Sequence, residues 1–201
     1  VFFQTDNETA LAAAARPNPA PAGDNHQAAA TDQPAGGSPA AQVAAVHVVR
    51  KIPTPQVERD AVAAIAQIGG RVERNGELIR ITFTAPNPHV SDARLQPLAQ
   101  LTNVEVLDLS RLAITDAAVA HLEPLTMLTT LSLPHTGITD GGLSHFKPLV
   151  SLTSLNVSET RITGAGLEHL TGLVHLQALY IADNNITDDG LAHLAGLNRL
   201  E

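Results

Sequence analysis

The sequence predicts an α/β fold: a curved solenoid with short parallel strands on its inner side, short helices on its outer side, and a helix and hairpin closing its N-terminal end. Three observations carry this expectation. One pattern returns every 24 residues, placing Leu101, Leu125, Leu149, Leu173 and Leu197 in a single column. Within each period the apolar spacing changes from alternate residues, as at Leu131 and Leu133, to residues three apart, as at Leu143 and Phe146. That change marks a strand followed by a short helix. Ahead of the periodic region stand an amphipathic stretch and an Asn-Gly pair, which together read as a cap.

The remaining apolar columns repeat the same register. They are Val104/Leu128/Leu152/Leu176, Leu107/Leu131/Leu155/Leu179, Leu109/Leu133/Val157/Ile181, Ile114/Ile138/Ile162/Ile186, Val119/Leu143/Leu167/Leu191 and Leu122/Phe146/Leu170/Leu194. A unit of this kind cannot bury its own apolar face, so the copies must stack.

Taken in order, residues 1–45 are dominated by Ala, Pro, Gly, Asn, Gln and Asp, as in Ala12 to Pro21. Interspersed prolines and scarce large apolar residues predict a disordered linker, with at most a marginal helix around Thr9 to Ala15. Val1-Phe2-Phe3 reads either as the tail of a hydrophobic segment lying upstream, hence export or membrane anchoring, or as ordinary end sequence in a cytoplasmic protein. Residues 46–76 form the expected cap. A short apolar run over Ala44 to Val49 leads to Pro53-Thr54-Pro55, and Gln56 to Ile68 carries Val57, Ala61, Ala64, Ile65 and Ile68 at helical spacing. Gly69-Gly70 ends that helix. Asn75-Gly76 is then the two-residue type I′ turn of a hairpin whose second strand runs from Glu77 to Ala85.

The repeat domain is expected over 77–201. Moving the register back one period puts Phe83 and Ala85 on the strand columns, Val90 on the isoleucine column, and Leu95 and Leu98 on the helix columns, making 77–100 a divergent first repeat. Four full repeats follow over 101–196, and a truncated fifth over 197–201 leaves an uncapped apolar end expected to favour self-association. Each full unit closes with a Thr or Asp that starts its helix, and with Pro124, Pro148, Gly172 or Gly196 just beyond it. Thr136, Thr160 and Asn184 share a column from which a side chain can bond backbone groups of a neighbouring turn; Leu112 interrupts that ladder.

The segment Leu128 to Ile138 fits L-x-x-L-x-L-x-x-N-x-L, and the Ile-Thr-Asp-x-Gly-Leu core recurs at Ile138 to Leu143 and, with small changes, at Ile162 to Leu167 and Ile186 to Leu191. On these residues the chain resembles leucine-rich repeat proteins. The core resembles the ribonuclease-inhibitor-like and F-box-associated subclass, and the Gly-Gly turn with its hairpin is similar to a group of bacterial leucine-rich repeat proteins in which an anchor and linker precede the repeats. The resemblance covers about residues 56–201. It implies protein binding on the concave strands, with no more specific function.

Outward-facing strand residues are therefore the candidate partner-binding set. Thr84, Asp108, Ser132, Asn156 and Tyr180 form the central row; Thr82, Val106, Thr130, Ser154 and Ala178 run beside it. Arg111, His135, Glu159 and Asp183 stand at the strand ends. Tyr180, the one tyrosine in the chain, is the natural anchor among small polar groups.

Other chemistry finds little support. Aromatics make up 2% of the chain and Trp is absent, which removes the stacking platform of single-strand nucleic-acid binders. The net charge of −8 falls almost wholly on residues 101–201, which sum to −7 and should repel phosphate backbones. No cysteine is present, and no apolar run reaches the roughly 20 residues of a membrane span. His121, His145, His169 and His193 form a column on the outer side, where side chains splay apart instead of converging on a metal. Asp183 to Gly190 lacks calcium-loop spacing, since Leu194 stands twelfth. No cofactor and no catalytic set is expected. The leading expectation is a non-enzymatic interaction scaffold for a protein or peptide; the alternatives are a sensor region of a larger enzyme, or a ubiquitin-ligase-type adaptor, for which the Ala/Pro-rich stretch supplies no F-box-like helices.

Overall fold

The computed structural model describes residues 54–84 and 87–201. The expectations for the linker, for residues 46–53 and for Ala85 lie outside the described residues.

Helix α1 (Pro55–Gln67) starts at Thr54, whose side chain accepts the Val57 N–H at 3.4 Å, and Pro55 occupies the first turn, where its missing N–H costs nothing. Ala61, Ile65 and Ile68 are buried, whereas Val57, placed on the apolar stripe by spacing, is 37% exposed. Strands β1 (Gly70–Asn75) and β2 (Leu78–Phe83) pair antiparallel from Gly70–Phe83 to Asn75–Leu78. The two turn residues are therefore Gly76 and Glu77, one position later than the Asn-Gly turn expected. Gly76 has φ +63° and no non-glycine residue of this turn has positive φ, which fits a turn with glycine at its first central position and not type I′.

From β2 onward the sheet is parallel: β3 (Val104–Asp108), β4 (Thr130–Ser132), β5 (Ser154–Asn156) and β6 (Ala178–Tyr180) follow in chain order. Leu107 pairs with Leu131, Leu131 with Leu155 and Leu155 with Leu179, so the leucine column of the sequence is a row across the sheet. Leu107, Leu131 and Leu155 are fully buried. The opposite side carries α2 (Asp116–Val119), α3 (Asp140–Leu143) and α4 (Asp188–Leu191), each running into one 3₁₀ turn, while Asp92–Gln100 and Gly164–Leu170 are 3₁₀ throughout. Phe146, Leu122 and Leu170 close the core from that side.

The first repeat departs from the 24-residue register. Ile79 and Ile81 are fully buried and pair with Val104 and Leu107, so Ile81 takes the column that the periodic count gave to Phe83, while Phe83, two residues on, is half-buried against the core. Val90, Leu95 and Leu98 keep the expected helix-side columns and are buried. Between strand and helix side the first unit is thus two residues longer than the others, with the extra length in the Pro-containing stretch after β2. A period counted backwards cannot detect such an insertion.

Consecutive rungs are joined by a repeated polar clasp. Asp116 accepts the Thr139 N–H at 2.8 Å and the Thr139 hydroxyl at 2.6 Å; Asp140 does the same for Thr163 at 2.7 and 2.6 Å, and Asp92 for Thr115 at 2.8 and 2.6 Å. The same Thr hydroxyls cap their own helices, accepting from Ala117, Gly141 and Ala165. Thr in this motif is the cap, and Asp, the first helical residue, reaches the next rung.

Leu155→Ala should cost about 2 to 5 kcal/mol by leaving a cavity, whereas Ser132→Ala, on the outward face, should stay within about 0.5 kcal/mol; urea unfolding of both reads the inward/outward register directly. The clasp makes a second prediction. A methyl added at Gly166 would collide with the Asp140 carboxylate. Gly166→Ala should therefore destabilise the parent markedly and the Asp140→Ala variant much less, a coupling that a double-mutant cycle measures.

Candidate functional site

Alternation along the strands sets the outward face. Arg80, Val106, Thr130, Ser154 and Ala178 form one row and Thr82, Asp108, Ser132, Asn156 and Tyr180 the other, by the observed pairing. Thr84 does not belong to this set: it follows β2, and Thr82 takes the place beside Asp108 that the periodic count gave to Thr84. The same two-residue correction brings Arg80 beside Val106. Antiparallel pairing extends the face to β1, where Arg71 lies opposite Thr82 and Glu73 opposite Arg80. Arg80, Arg71 and Glu73 are thus members of this face absent from the sequence-derived set. Their signal was available in the alternation of Ile79 and Ile81 with Arg80 and Thr82.

Local bonds hold several of these side chains. Asp108 Oδ1 accepts the Ser110 N–H at 2.9 Å and also the Ser110 hydroxyl, which lies 3.0 Å from the Ser132 hydroxyl. Asn156 Oδ1 accepts the Ser158 N–H at 3.0 Å. Thr130, Ser132 and Ser154 are half-buried in the sheet floor, and Tyr180 stands 55% exposed.

Arg111, His135, Glu159 and Asp183 share one conformation, each left-handed at φ 54 to 59°. Side chains disfavour that region by about 1–2 kcal/mol. Its recurrence has a structural cause in three of the four: the turn aims the N–H of Arg111 at Pro134 O (2.8 Å), of His135 at Ser158 O (3.2 Å) and of Glu159 at Ala182 O (2.8 Å), so each of these three bonds the next rung. Their side chains project from the strand ends, and His135 Nδ1 meets Glu159 Oε2 at 2.8 Å.

The Thr/Asn column behaves unequally. Thr136 and Thr160 turn their hydroxyls to carbonyls of their own loops, at Leu133 (2.7 Å) and Val157 (2.8 Å); Asn184 bridges rungs, donating to Val157 O at 2.8 Å and accepting from Thr160. Leu112 is buried, so its unit makes no such polar contact. On the helical side His145 Nδ1 lies 2.6 Å from Glu123, one rung away. Among the described residues no three His, Asp or Glu side chains are grouped to hold a metal ion, and no helix is long and apolar enough to cross a membrane.

Comparison with known proteins bears on the repeat. A family model described as leucine rich repeat matches residues 125–146, 149–170 and 172–195. No curated protein matches the chain. Among solved structures, an internalin from Listeria monocytogenes is 29% identical with a TM-score of 0.49, over 53% of this chain and 30% of that one. Internalin C2 of the same organism is 32% identical with a TM-score of 0.47, over 52% and 43% of the two chains. A receptor-kinase leucine-rich repeat ectodomain from Arabidopsis thaliana is 16% identical with a TM-score of 0.43, over 68% and 84%. The chain spans less than half the length of either internalin. With their apolar columns and stacked rungs, residues 125–195 are leucine-rich repeats.

The left-handed rim is testable. Arg111→Gly should exceed Arg111→Val in stability by about 1–2 kcal/mol or more, because the β-branched residue strains the turn that glycine fits; thermal unfolding of the two variants checks this.

Proposed function

We propose that this chain, with its leucine-rich repeats, is a non-enzymatic interaction module that holds a protein or peptide on its strand face. The observation that carries the reading is a division of labour within each strand. Leu107, Leu131 and Leu155 are fully buried, while their neighbours Val106, Asp108, Thr130, Ser132, Ser154 and Asn156 turn away from the core. Those outward residues do little packing work, yet their backbone is fixed by the parallel ladder. A rigid open floor of small polar groups suits a partner because the protein loses little freedom on binding.

Within that face, Tyr180 is the anchor: a large exposed ring beside small side chains concentrates contact area. Thr82, Asp108, Thr130, Ser132, Ser154 and Asn156 supply hydroxyl, amide and carboxylate partners. Arg111, His135, Glu159 and Asp183 form one edge of the same surface and set the charge that a partner meets there.

The test is a pull-down from the native source with the parent chain beside an Asp108→Ala, Asn156→Ala, Tyr180→Ala variant shown by circular dichroism to be folded. The expected result is a partner retained by the parent and lost by the variant. Equal capture by both moves the working surface to the helical side.

A further inference from the structure

We infer that the strand face accepts an extended peptide segment bearing opposite charges near its two ends, an acidic side chain over β2 and a basic one over β6. The inference deepens the reading above and rests on it. It comes from where the face leaves its charges free.

At the N-terminal side of the face Arg71 is committed to Glu73 at 2.8 Å, and Arg74, on the other face of β1, to Glu58 at 2.9 Å. Arg80 is exposed and makes no ion pair among the described residues, although it lies opposite Glu73 across the hairpin. The Arg111 guanidinium, also exposed, adds a second unpaired cation at the rim of the next strand. Asp108 lies in the neighbouring row, half-buried, with Oδ1 accepting from Ser110. A carboxylate arriving at Arg80 therefore meets a cation with no competing anion bound to it. The fork of a guanidinium suits such a group.

Across β4 and β5 the floor is neutral: Thr130, Ser132, Ser154 and Asn156 offer hydroxyl and amide groups only. At β6 the character changes again. Tyr180 presents its ring, and Asp183, exposed and without an ion pair among the described residues, stands three positions further along the chain. Aromatic face and carboxylate together fit a Lys or Arg side chain, which the ring quadrupole and the charge both attract.

The spacing defines the peptide. From β2 to β6 there are four inter-strand steps of about 4.8 Å, or about 19 Å, which an extended chain covers in roughly six residues. Either chain direction places an acid at one end and a base at the other.

The experiment uses the whole chain and four defined serine-based peptides carrying charges at their ends, Glu with Lys, Glu with Glu, Lys with Lys, and Glu adjacent to Lys, measured by fluorescence anisotropy. The separated Glu and Lys peptide should bind tightest. Arg80→Glu should move the preference to the Lys and Lys peptide, and Asp183→Lys to the Glu and Glu peptide, each exposed charge contact changing affinity by about two- to fivefold. An unchanged ranking in both variants, equal binding of the adjacent-charge peptide, or no binding of the separated peptide to the parent overturns the inference. Ser132→Trp separates this from the reading beneath it. Loss of all peptide binding in Ser132→Trp with an unchanged ranking in the charge variants overturns the charge polarity alone, whereas binding that survives Ser132→Trp removes the strand face as the site.

Discussion

The stack depends on a carboxylate placed between two rungs. Asp92, Asp116 and Asp140 each receive both the N–H and the hydroxyl of a threonine in the next unit, all six bonds at 2.6 to 2.8 Å. Such charge-assisted bonds are stronger than neutral ones, and each Asp stands in a first helical turn whose free N–H groups favour an anion. Because the same Thr hydroxyl also caps its own helix, the clasp ties the starts of α2, α3 and the Gly164–Leu170 turn to the rung before each. Spacing on the helical side is then matched to the strand ladder, which keeps Leu107, Leu131 and Leu155 in one row. The clasp also dictates the small column: Gly142 would place a Cβ 2.5 Å from Asp116 Oδ1, so a larger residue there would displace the carboxylate.

The exception supports this account. At the next rung Gly164 replaces the Asp, and Thr187 makes no side-chain cap bond. That seam carries a different device, Asn184, whose Oδ1 accepts from Thr160 N at 3.1 Å and from the Thr160 hydroxyl at 2.8 Å while its amide donates to Val157 O. Earlier seams have Leu112 and Thr136 in that column, and neither bridges rungs through its side chain. Each described seam between full units thus holds one inter-rung polar side chain of this kind, on the helical side or at the strand end. The backbone bonds from Gly137 to Ile114, Arg161 to Ile138 and Asn185 to Ile162 cross all three seams, and one device or the other reinforces them.

How far the sequence could be read follows from the same physics. Columns pressed between two neighbours accept few residue types, so burial of Leu131, Leu155, Ile138 and Ile162 was legible from repetition alone. The first repeat was not, because Phe83 happens to be apolar at the periodic position and mimics the register that Ile81 fills. Strand alternation was the better guide there, since it depends on local geometry and survives an insertion. The candidate face inherited that error at one position, Thr84, and missed Arg80 for the same reason. The role of Asp in the clasp was hidden for another reason: a residue that fits its own helix start gives no sign that its oxygens belong to the next unit.

The outward rows obey the opposite logic. Val106, Thr130, Ser154 and Ala178 occupy one row yet mix apolar with hydroxyl side chains, because lateral neighbours and solvent constrain them weakly. Repetition, which reveals the fold, is therefore silent about the partner. Information lies in the departures: one aromatic at Tyr180, guanidinium groups without an ion pair at Arg80 and Arg111, a neutral floor over β4 and β5. Because the ladder already holds the backbone, an extended partner bears most of the ordering cost, on the order of 1–2 kcal/mol per residue fixed. Small hydroxyl contacts along the floor do little more than exchange water for protein, so they cannot offset that cost alone. For the proposed peptide, affinity and selectivity must then come from the few large or charged side chains, with Arg80 near one end of the face and Tyr180 and Asp183 near the other.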